Sequence, residues 1–297
     1  MFRAARPWLS RRHSRILFSL GRNELWSAIS DNARYDGKSP DADVEPKLHS
    51  VDWTRDPVLL FTGRIISPKG IQCVVAALPL ILAEVPDLRL VIVGHGPLRE
   101  PLEALVKGLR AGDMALVRNI VSWGRWIEGA PEGEDSTDDI IELTQFFDRL
   151  AQRGEEEKYF ESAQRFLKPD TVIFTGYLTH RELRFLFPCC DVGVFPSIVR
   201  EAGPLVFLEA LASGSFPLGT YFGGMAASID AVSAGLPSEV GATMKLGLSD
   251  TVYDIVKQIP RALELGTTYK TTLADIARER YDWVSVARTL REVLHSL

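Results

Sequence analysis

From Val58 onward, apolar residues recur in two alternating textures. Val58-Leu59-Leu60-Phe61 is a short continuous run that stops at Thr62-Gly63, the pattern of a strand buried on both faces. Ile71, Val74, Val75, Leu78, Leu82 and Val85 follow at helical spacing and end before Pro86. A second run, Leu88 to Val93, stops at Gly94-His95-Gly96-Pro97, and a helix is predicted from about Arg99 to Lys107. Three more runs complete the set: Thr171 to Phe174 ahead of Thr175-Gly176, Val192 to Phe195 ahead of Pro196-Ser197, and Ser215 to Gly219 ahead of Thr220. Continuous apolar strands alternating with helices mark a parallel sheet covered on both faces. The predicted fold class is α/β with a doubly wound parallel sheet. Its binding crevice belongs at the carboxyl ends of the strands, where Gly63, Gly94, Gly176, Ser197 and Gly223 fall.

Other stretches depart from this rhythm. Residues 108–170 interrupt it with Glu132, Glu134, Asp135, Asp138, Asp139 and the run Glu155-Glu156-Glu157, and show helical periodicity only around Ile140 to Leu150. They are expected to form an acidic, partly helical surface insertion, with the acid run as a solvated face. Trp283 to Leu297 predicts an amphipathic helix through Val284, Val286, Leu290, Val293 and Leu294. At the front, residues 31–56 are polar and hold Pro40 and Pro46, which predicts a linker. The first 23 residues carry Arg3, Arg6, Arg11, Arg12, Arg15 and Arg22 among Trp8, Ile16, Leu17, Phe18 and Leu20. A membrane-surface contact, an organelle transit peptide and a plain basic tail all fit that composition. The expected organisation is a basic segment and linker over 1–56, then one domain over 57–297.

Composition narrows the function classes. Hydrophobic residues are 46% and charged residues 25% of the 297, ordinary for a soluble globular protein. A net charge of −5 gives no whole-chain case for nucleic-acid binding. Cys73, Cys189 and Cys190 lie in apolar segments without metal-ligand spacing, which predicts buried thiols of a reducing, cytoplasmic compartment. No apolar run reaches the length of a membrane span.

The chemistry concentrates in Glu201-Ala202-Gly203-Pro204-Leu205-Val206-Phe207-Leu208-Glu209. Gly203-Pro204 predicts a helix start, because proline fits the first helical position. The N–H groups of Leu205 and Val206 would then face outward at the positive end of the helix dipole and receive an anion. Glu201 would stand in the loop before that end, and Glu209 inside the helix. Carboxylates accept hydrogen bonds from hydroxyls, so the layout suits a ligand with a negative middle and hydroxyl-rich ends, such as a sugar nucleotide. After the first strand, Gly63-Arg64 and Lys69-Gly70 supply two cations, a forked guanidinium and a compact ammonium suited to phosphate oxygens. His95, in the turn after the second strand, is within reach of a ligand there, but a satisfied loop histidine is the expectation.

Taken together these stretches resemble the donor-binding half of a retaining glycosyltransferase of the GT-B fold, in the glycosyl transferases group 1, or glycogen- and sucrose-synthase-like, family. The resemblance covers about residues 57–107 and 171–235, and it implies a Rossmann-like domain. It also implies that Arg64 and Lys69, beside Gly63, hold the donor diphosphate, and that Glu201 takes hydroxyls of the donor sugar. Ala202 and Gly203 lie in the same loop, with the amides of Leu205 and Val206 on the phosphates and Glu209 on the ribose. Gly176-Tyr177-Leu178 resembles the turn that packs on the nucleobase. Glu201, Arg64 and Lys69 are the implied catalytic groups, with no cofactor besides the nucleoside-diphosphate sugar substrate. Two departures stand out: Pro204 where many members have glycine, and Met225-Ala226-Ala227 where an acid often follows the Gly-Gly pair. Asp41-Ala42-Asp43 imitates the acid pair of metal-dependent glycosyltransferases of the other fold. It is placed in a proline-flanked linker away from any strand end, so no metal role is assigned to it.

About 56 residues precede Val58, too few for the second doubly wound domain that binds the acceptor in such enzymes. The implied activity is transfer of a sugar from a nucleoside-diphosphate sugar to an acceptor hydroxyl with retention, the acceptor being unspecified. A donor-binding or regulatory subunit, or a fragment, inactive without an N-terminal acceptor domain stays open beside it, with an acceptor-domain partner or a second copy as the expected company. A sugar-nucleotide epimerase is a third alternative, and it fits the paired glutamates less well.

Overall fold

The structure is a computed structural model that describes residues 39–124, 128 and 140–296. The basic segment 1–23 and the acids from Glu132 to Asp139 lie outside the described residues. In chain order the elements are α1 (Val44–His49), β1 (Val58–Thr62), α2 (Ile71–Glu84), β2 (Arg89–Val93), α3 (Arg99–Ala111), α4 (Met114–Trp123), α5 (Ile141–Arg153) and α6 (Glu156–Phe166). They continue with β3 (Val172–Gly176), α7 (His180–Leu186), β4 (Val192–Phe195), α8 (Leu205–Ser213), β5 (Phe216–Thr220), α9 (Gly223–Ser233), α10 (Ser238–Thr243), β6 (Lys245–Leu246), α11 (Thr251–Tyr281) and α12 (Trp283–Ser296).

Six parallel strands form one sheet in the order β3-β2-β1-β4-β5-β6. Every residue of β1, β4 and β5 is buried, so helices cover both faces, as the unbroken apolar runs require. Right-handed crossovers put α2, between β1 and β2, on the opposite face from α8, between β4 and β5. This is the Rossmann-like arrangement. Its direction of winding reverses between β1 and β4, whose exit loops therefore diverge and leave a crevice. All five predicted strands are present within a residue or two at either end. The sixth, β6, is two residues long and too short for periodicity to reveal.

Three expectations change. The described helices of the 108–170 stretch are not a surface insertion, because they complete the core. Phe146 and Tyr159 are fully buried with ring centroids 5.4 Å apart and edge-to-face, and Phe147, Phe160 and Tyr253 extend the cluster. Tyr159 Oη donates to the Ala76 carbonyl at 2.7 Å and Ser162 Oγ to the Pro79 carbonyl at 2.6 Å, which fastens α6 to α2. The acids at the α6 start concealed this packing, although they do lie at its half-exposed or exposed amino end, where Glu156 pairs with Arg118. Residues 39–56 are not a free linker either: α1 packs beside β3, and the Asp41 N–H donates to the Thr175 carbonyl at 2.7 Å. Asp41 is thus at a strand end after all, with its carboxylate taken by Arg99 and Lys47. Finally, Cys73 and Cys190 are buried but Cys189 is exposed, since it sits on the outer side of a short 3-10 turn.

Helix α12 forms as predicted, with Trp283, Val284, Leu290 and Leu294 all more than half exposed. Among the described residues no helix is long and apolar enough to cross a membrane.

Core membership of the 140–166 helices has a measurable consequence. Phe146→Ala should lower the unfolding free energy by about 3–5 kcal/mol, the cost of truncating a fully buried aromatic ring. Urea-denaturation midpoints compared with the wild type check this. A loss below about 1 kcal/mol would return the stretch to the surface.

Candidate functional site

Two exit loops meet over the reversal point. The loop from β1 carries Gly63, Arg64 and Lys69, and the loop from β4 carries Ser197 and Glu201. Their backbones touch: the Ile198 N–H donates to the Pro68 carbonyl at 2.9 Å, and Ser197 Oγ lies 3.2 Å from the same carbonyl. Gly70 makes the approach possible. It has φ +71, and a Cβ there would lie 1.8 Å from the Pro196 carbonyl oxygen. The β1 loop is held from its other side as well, by Ile65 N–H to the His95 carbonyl at 2.8 Å and Gly63 N–H to the Val93 carbonyl at 3.0 Å. Gly94 serves there, because its Cβ would fall 1.9 Å from the Gly63 carbonyl oxygen.

Across the junction Lys69 Nζ donates to Glu201 Oε1 at 2.5 Å, and Ser197 Oγ donates to the same oxygen at 2.6 Å. Burial pushes the Glu201 carboxyl up, but the Lys69 and Ser197 hydrogen bonds and the Lys69 charge outweigh it and hold the group below its ordinary value. Lys69 and Glu201, assigned separate tasks from sequence, are therefore partners. Arg64 stands exposed at the cleft, with no ion-pair partner among the described residues. The Glu201 carbonyl accepts from the Gly224 N–H at 2.7 Å, so the amino end of α9 steadies the loop from behind.

Helix α8 starts at Leu205, one residue later than the proline start predicted. Pro204, at φ −82 and ψ 86, makes an inverse γ-turn in which the Leu205 N–H donates to the Gly203 carbonyl at 3.1 Å. This corrects the expectation of two outward amides, since the Leu205 amide is already engaged. The Val206 N–H carries no such bond among the described residues, and no side chain caps the helix. Glu209 lies one turn further on, half-buried, 3.7 Å from His180 Nδ1.

These groups line two adjoining lobes of one cleft. The first, about 330 Å³, is bounded by Gly63, Arg64, Lys69, Ser197, Glu201, Gly203 and Val206, with Phe61, Phe195 and Met225 as its apolar wall. The second, about 350 Å³, shares Gly63, Arg64, Leu205 and Val206 and continues to His95, Tyr177, Leu178, His180 and Glu209. Their size suits a small organic ligand. The structure thus brings together Gly63, Arg64, Lys69, Tyr177, Leu178, Glu201, Gly203, Leu205, Val206 and Glu209. Ala202 and Gly176 do not line the lobes; Gly176 acts through backbone, its carbonyl accepting from the Gly94 N–H at 2.9 Å.

Several lining groups escaped the sequence reasoning. Met225 stands where the acid is missing, and His180 opens α7 behind a Thr179–Glu182 capping box, a motif legible in sequence but uninformative about the cleft. His95 is not the satisfied loop histidine expected. Its Nδ1 is buried without a hydrogen-bond partner among the described residues, and its ring meets Tyr177 edge-on at 5.8 Å.

Models of one protein family, described as glycosyl transferases group 1, match the sequence over residues 56–125 and 150–243. A search of curated proteins finds no match. Among solved structures, the sucrose-phosphate synthase of Thermosynechococcus elongatus aligns at 18% identity and a TM-score of 0.47, over 87% of this chain and 49% of that one. The HepE protein of Anabaena, solved with UDP-glucose, aligns at 16% identity and 0.48, over 93% and 62%. The catalytic domain of the Helicobacter pylori cholesterol-α-glucosyltransferase aligns at 13% and 0.43, over 75% and 98%. The chain spans about half of the first of these proteins and three-fifths of the second.

Two outcomes test the geometry. Gly70→Ala should destabilise the fold by about 2 kcal/mol or more, from the left-handed backbone and the Pro196 contact together, as read from thermal or urea unfolding. In Lys69→Met the Glu201 carboxyl should titrate higher than in the wild type, observed by carbon NMR of the side-chain carboxyl. The corresponding stability, present above the ordinary carboxylate pKa of 4.5, is lost in the wild type as pH falls through the lowered folded value. An unchanged titration would show that the ion pair does not form.

Proposed function

The chain belongs to the glycosyl transferases group 1 family, and from that premise we propose that its cleft binds a nucleoside-diphosphate sugar and supports transfer of the sugar to an acceptor hydroxyl with retained configuration. One observation carries the reading: two cations from the β1 exit, a carboxylate from the β4 exit and the amino end of α8 converge on one cleft at the reversal point of the sheet.

The donor would lie across both lobes. Its diphosphate would sit where they join, beside Arg64 and the Val206 amide at the positive end of α8. The sugar would occupy the first lobe, where Glu201 accepts from its hydroxyls. The nucleoside would occupy the second, with Glu209 accepting from the ribose and Tyr177 and Leu178 against the base. Lys69 has three N–H donors, so it can keep Glu201 while turning another toward a phosphate oxygen. It would thereby link sugar and leaving group.

Cleavage of the bond between the anomeric carbon and the phosphate oxygen leaves extra negative charge on the diphosphate. The principal demand on the protein is to receive that charge with groups already in place. Arg64, held by the Gly63 and Ile65 backbone bonds, and Lys69, held by Glu201, are preorganised in this sense. Met225, in place of an acid, makes the wall of the sugar lobe apolar.

The purified chain, incubated with UDP-, GDP- and ADP-sugars, should bind one class in a thermal-shift screen, since a ligand of the native state raises apparent stability. Transfer or slow donor hydrolysis, with product configuration read by NMR, would establish the enzyme. Binding without either would favour a donor-binding subunit. An epimerised sugar still attached to its nucleotide would refute transfer. Arg64→Ala should lower the turnover of whichever reaction is found by about 10²–10³-fold, the usual effect of removing one preorganised donor. A full kcat in that variant would remove Arg64 from the chemistry.

A further inference from the structure

The segment just ahead of the sheet reaches the far end of the same cleft through backbone and charge. β3 is an edge strand, and residues 39–41 lie along its outer side. The Asp41 N–H donates to the Thr175 carbonyl at 2.7 Å, the Tyr177 N–H donates to the Ser39 carbonyl at 3.1 Å, and Pro40 bridges Gly176 between them. The fit is close, since a Cβ on Gly176 would fall 2.6 Å from the Asp41 nitrogen.

The Asp41 side chain extends this clasp to the neighbouring strand. Its carboxylate accepts from both terminal nitrogens of Arg99, at 2.6 Å for Nη1, and from Lys47 Nζ at 2.8 Å. Arg99 is buried, donates through Nε to Glu103 at 3.0 Å, and lays its guanidinium over the Phe174 ring at 5.3 Å from the centroid. Lys47 Nζ also donates to the Phe174 carbonyl at 3.0 Å. Arg99 opens α3 directly behind the Gly94–Pro97 turn that carries His95. One carboxylate therefore joins the exit of β2, bearing His95, to the exit of β3, bearing Tyr177. Those two rings meet at 5.8 Å and line the second lobe.

We propose that Asp41 is a positioning residue for the nucleoside end of the donor cleft: by holding the exits of β2 and β3 together it sets the wall that His95 and Tyr177 present to the base. The inference rests on the assignment of the second lobe to the nucleoside. A paired bidentate carboxylate and guanidinium fix direction as well as distance, which a single ammonium contact does not. A preformed wall spares the ligand the cost of ordering the loop, so loosening the clasp weakens nucleoside binding while the phosphate-binding groups, Arg64 and Lys69 after β1 and the Val206 amide of α8, stay as they were.

The test uses the full chain, with UDP, GDP, ADP and inorganic pyrophosphate as probes in calorimetric titrations. Asp41→Asn keeps the shape and removes the charge. For the nucleotide the wild type binds best, it should weaken affinity by roughly tenfold while the affinity for pyrophosphate stays within about twofold, since preorganisation is lost at one end only. Lys47→Met, at a half-exposed position, should move the same ratio in the same direction by less, and it supplies the readout if Asp41→Asn does not fold. Folded variants that keep the wild-type ratio of nucleotide to pyrophosphate affinity overturn the proposal, as does a parallel loss of both affinities. A wild type that binds pyrophosphate but no nucleotide overturns instead the nucleoside assignment beneath it.

Discussion

The Lys69–Glu201 ion pair joins the exit of β1 to the exit of β4 at the one place in the sheet where adjacent strands wind away from each other. Everything else at the cleft is arranged around that junction. A doubly wound sheet leaves a crevice at its reversal point because the connections on either side travel in opposite directions. A crevice alone has no chemistry. Here it acquires some because a cation from one loop and a carboxylate from the other are pressed within 2.5 Å, with Ser197 on the same oxygen. The pair lets two half-buried charges satisfy each other, and Arg64 stays exposed at the mouth without an ion-pair partner among the described residues.

Backbone contact does most of the holding. The exit loops of β1, β2 and β3 continue the sheet's hydrogen bonding past the strand ends, through Gly63 to Val93, Ile65 to His95, Gly94 to Gly176 and Tyr177 to Ser39. Loops with free backbone would lose that order, and a cleft built from them would have to be organised by the ligand. Carbonyls and amides engaged with each other, as in the γ-turn at Pro204, also limit what the site offers. The amino end of α8 presents the Val206 N–H rather than two equivalent donors.

Support for this rim comes from farther away. The aromatic cluster of Phe146, Tyr159 and Tyr253 backs the helix that follows β1, so the helices over 140–166 steady the face from which Lys69 rises. On the opposite flank, the buried Arg99 is compensated by Asp41 and Glu103, which lets a charged side chain serve as a brace inside apolar surroundings. Charge there stiffens; at the reversal point Lys69 and Glu201 satisfy each other, while Arg64 is exposed without an ion-pair partner among the described residues. The same residue types therefore do different work according to whether their partners already satisfy them.

Much of this was legible in the chain itself. Val58-Leu59-Leu60-Phe61 and its four counterparts announce strands, because a parallel strand buried on both faces has to be apolar throughout. Glu201 and Glu209 around Gly203-Pro204, with Arg64 and Lys69 after the first strand, announce the cleft, because cations and a helix amino end suit phosphate while carboxylates suit hydroxyls. What periodicity cannot express is distance between segments far apart in sequence. Only the folded chain decided that Lys69 meets Glu201 across 132 residues, that the acidic stretch supplies core aromatics, and that Asp41 closes on Arg99 at a strand end instead of idling in a linker. Local pattern follows from how each residue meets water and its own backbone; pairing of remote charges follows from which loops the sheet topology brings side by side.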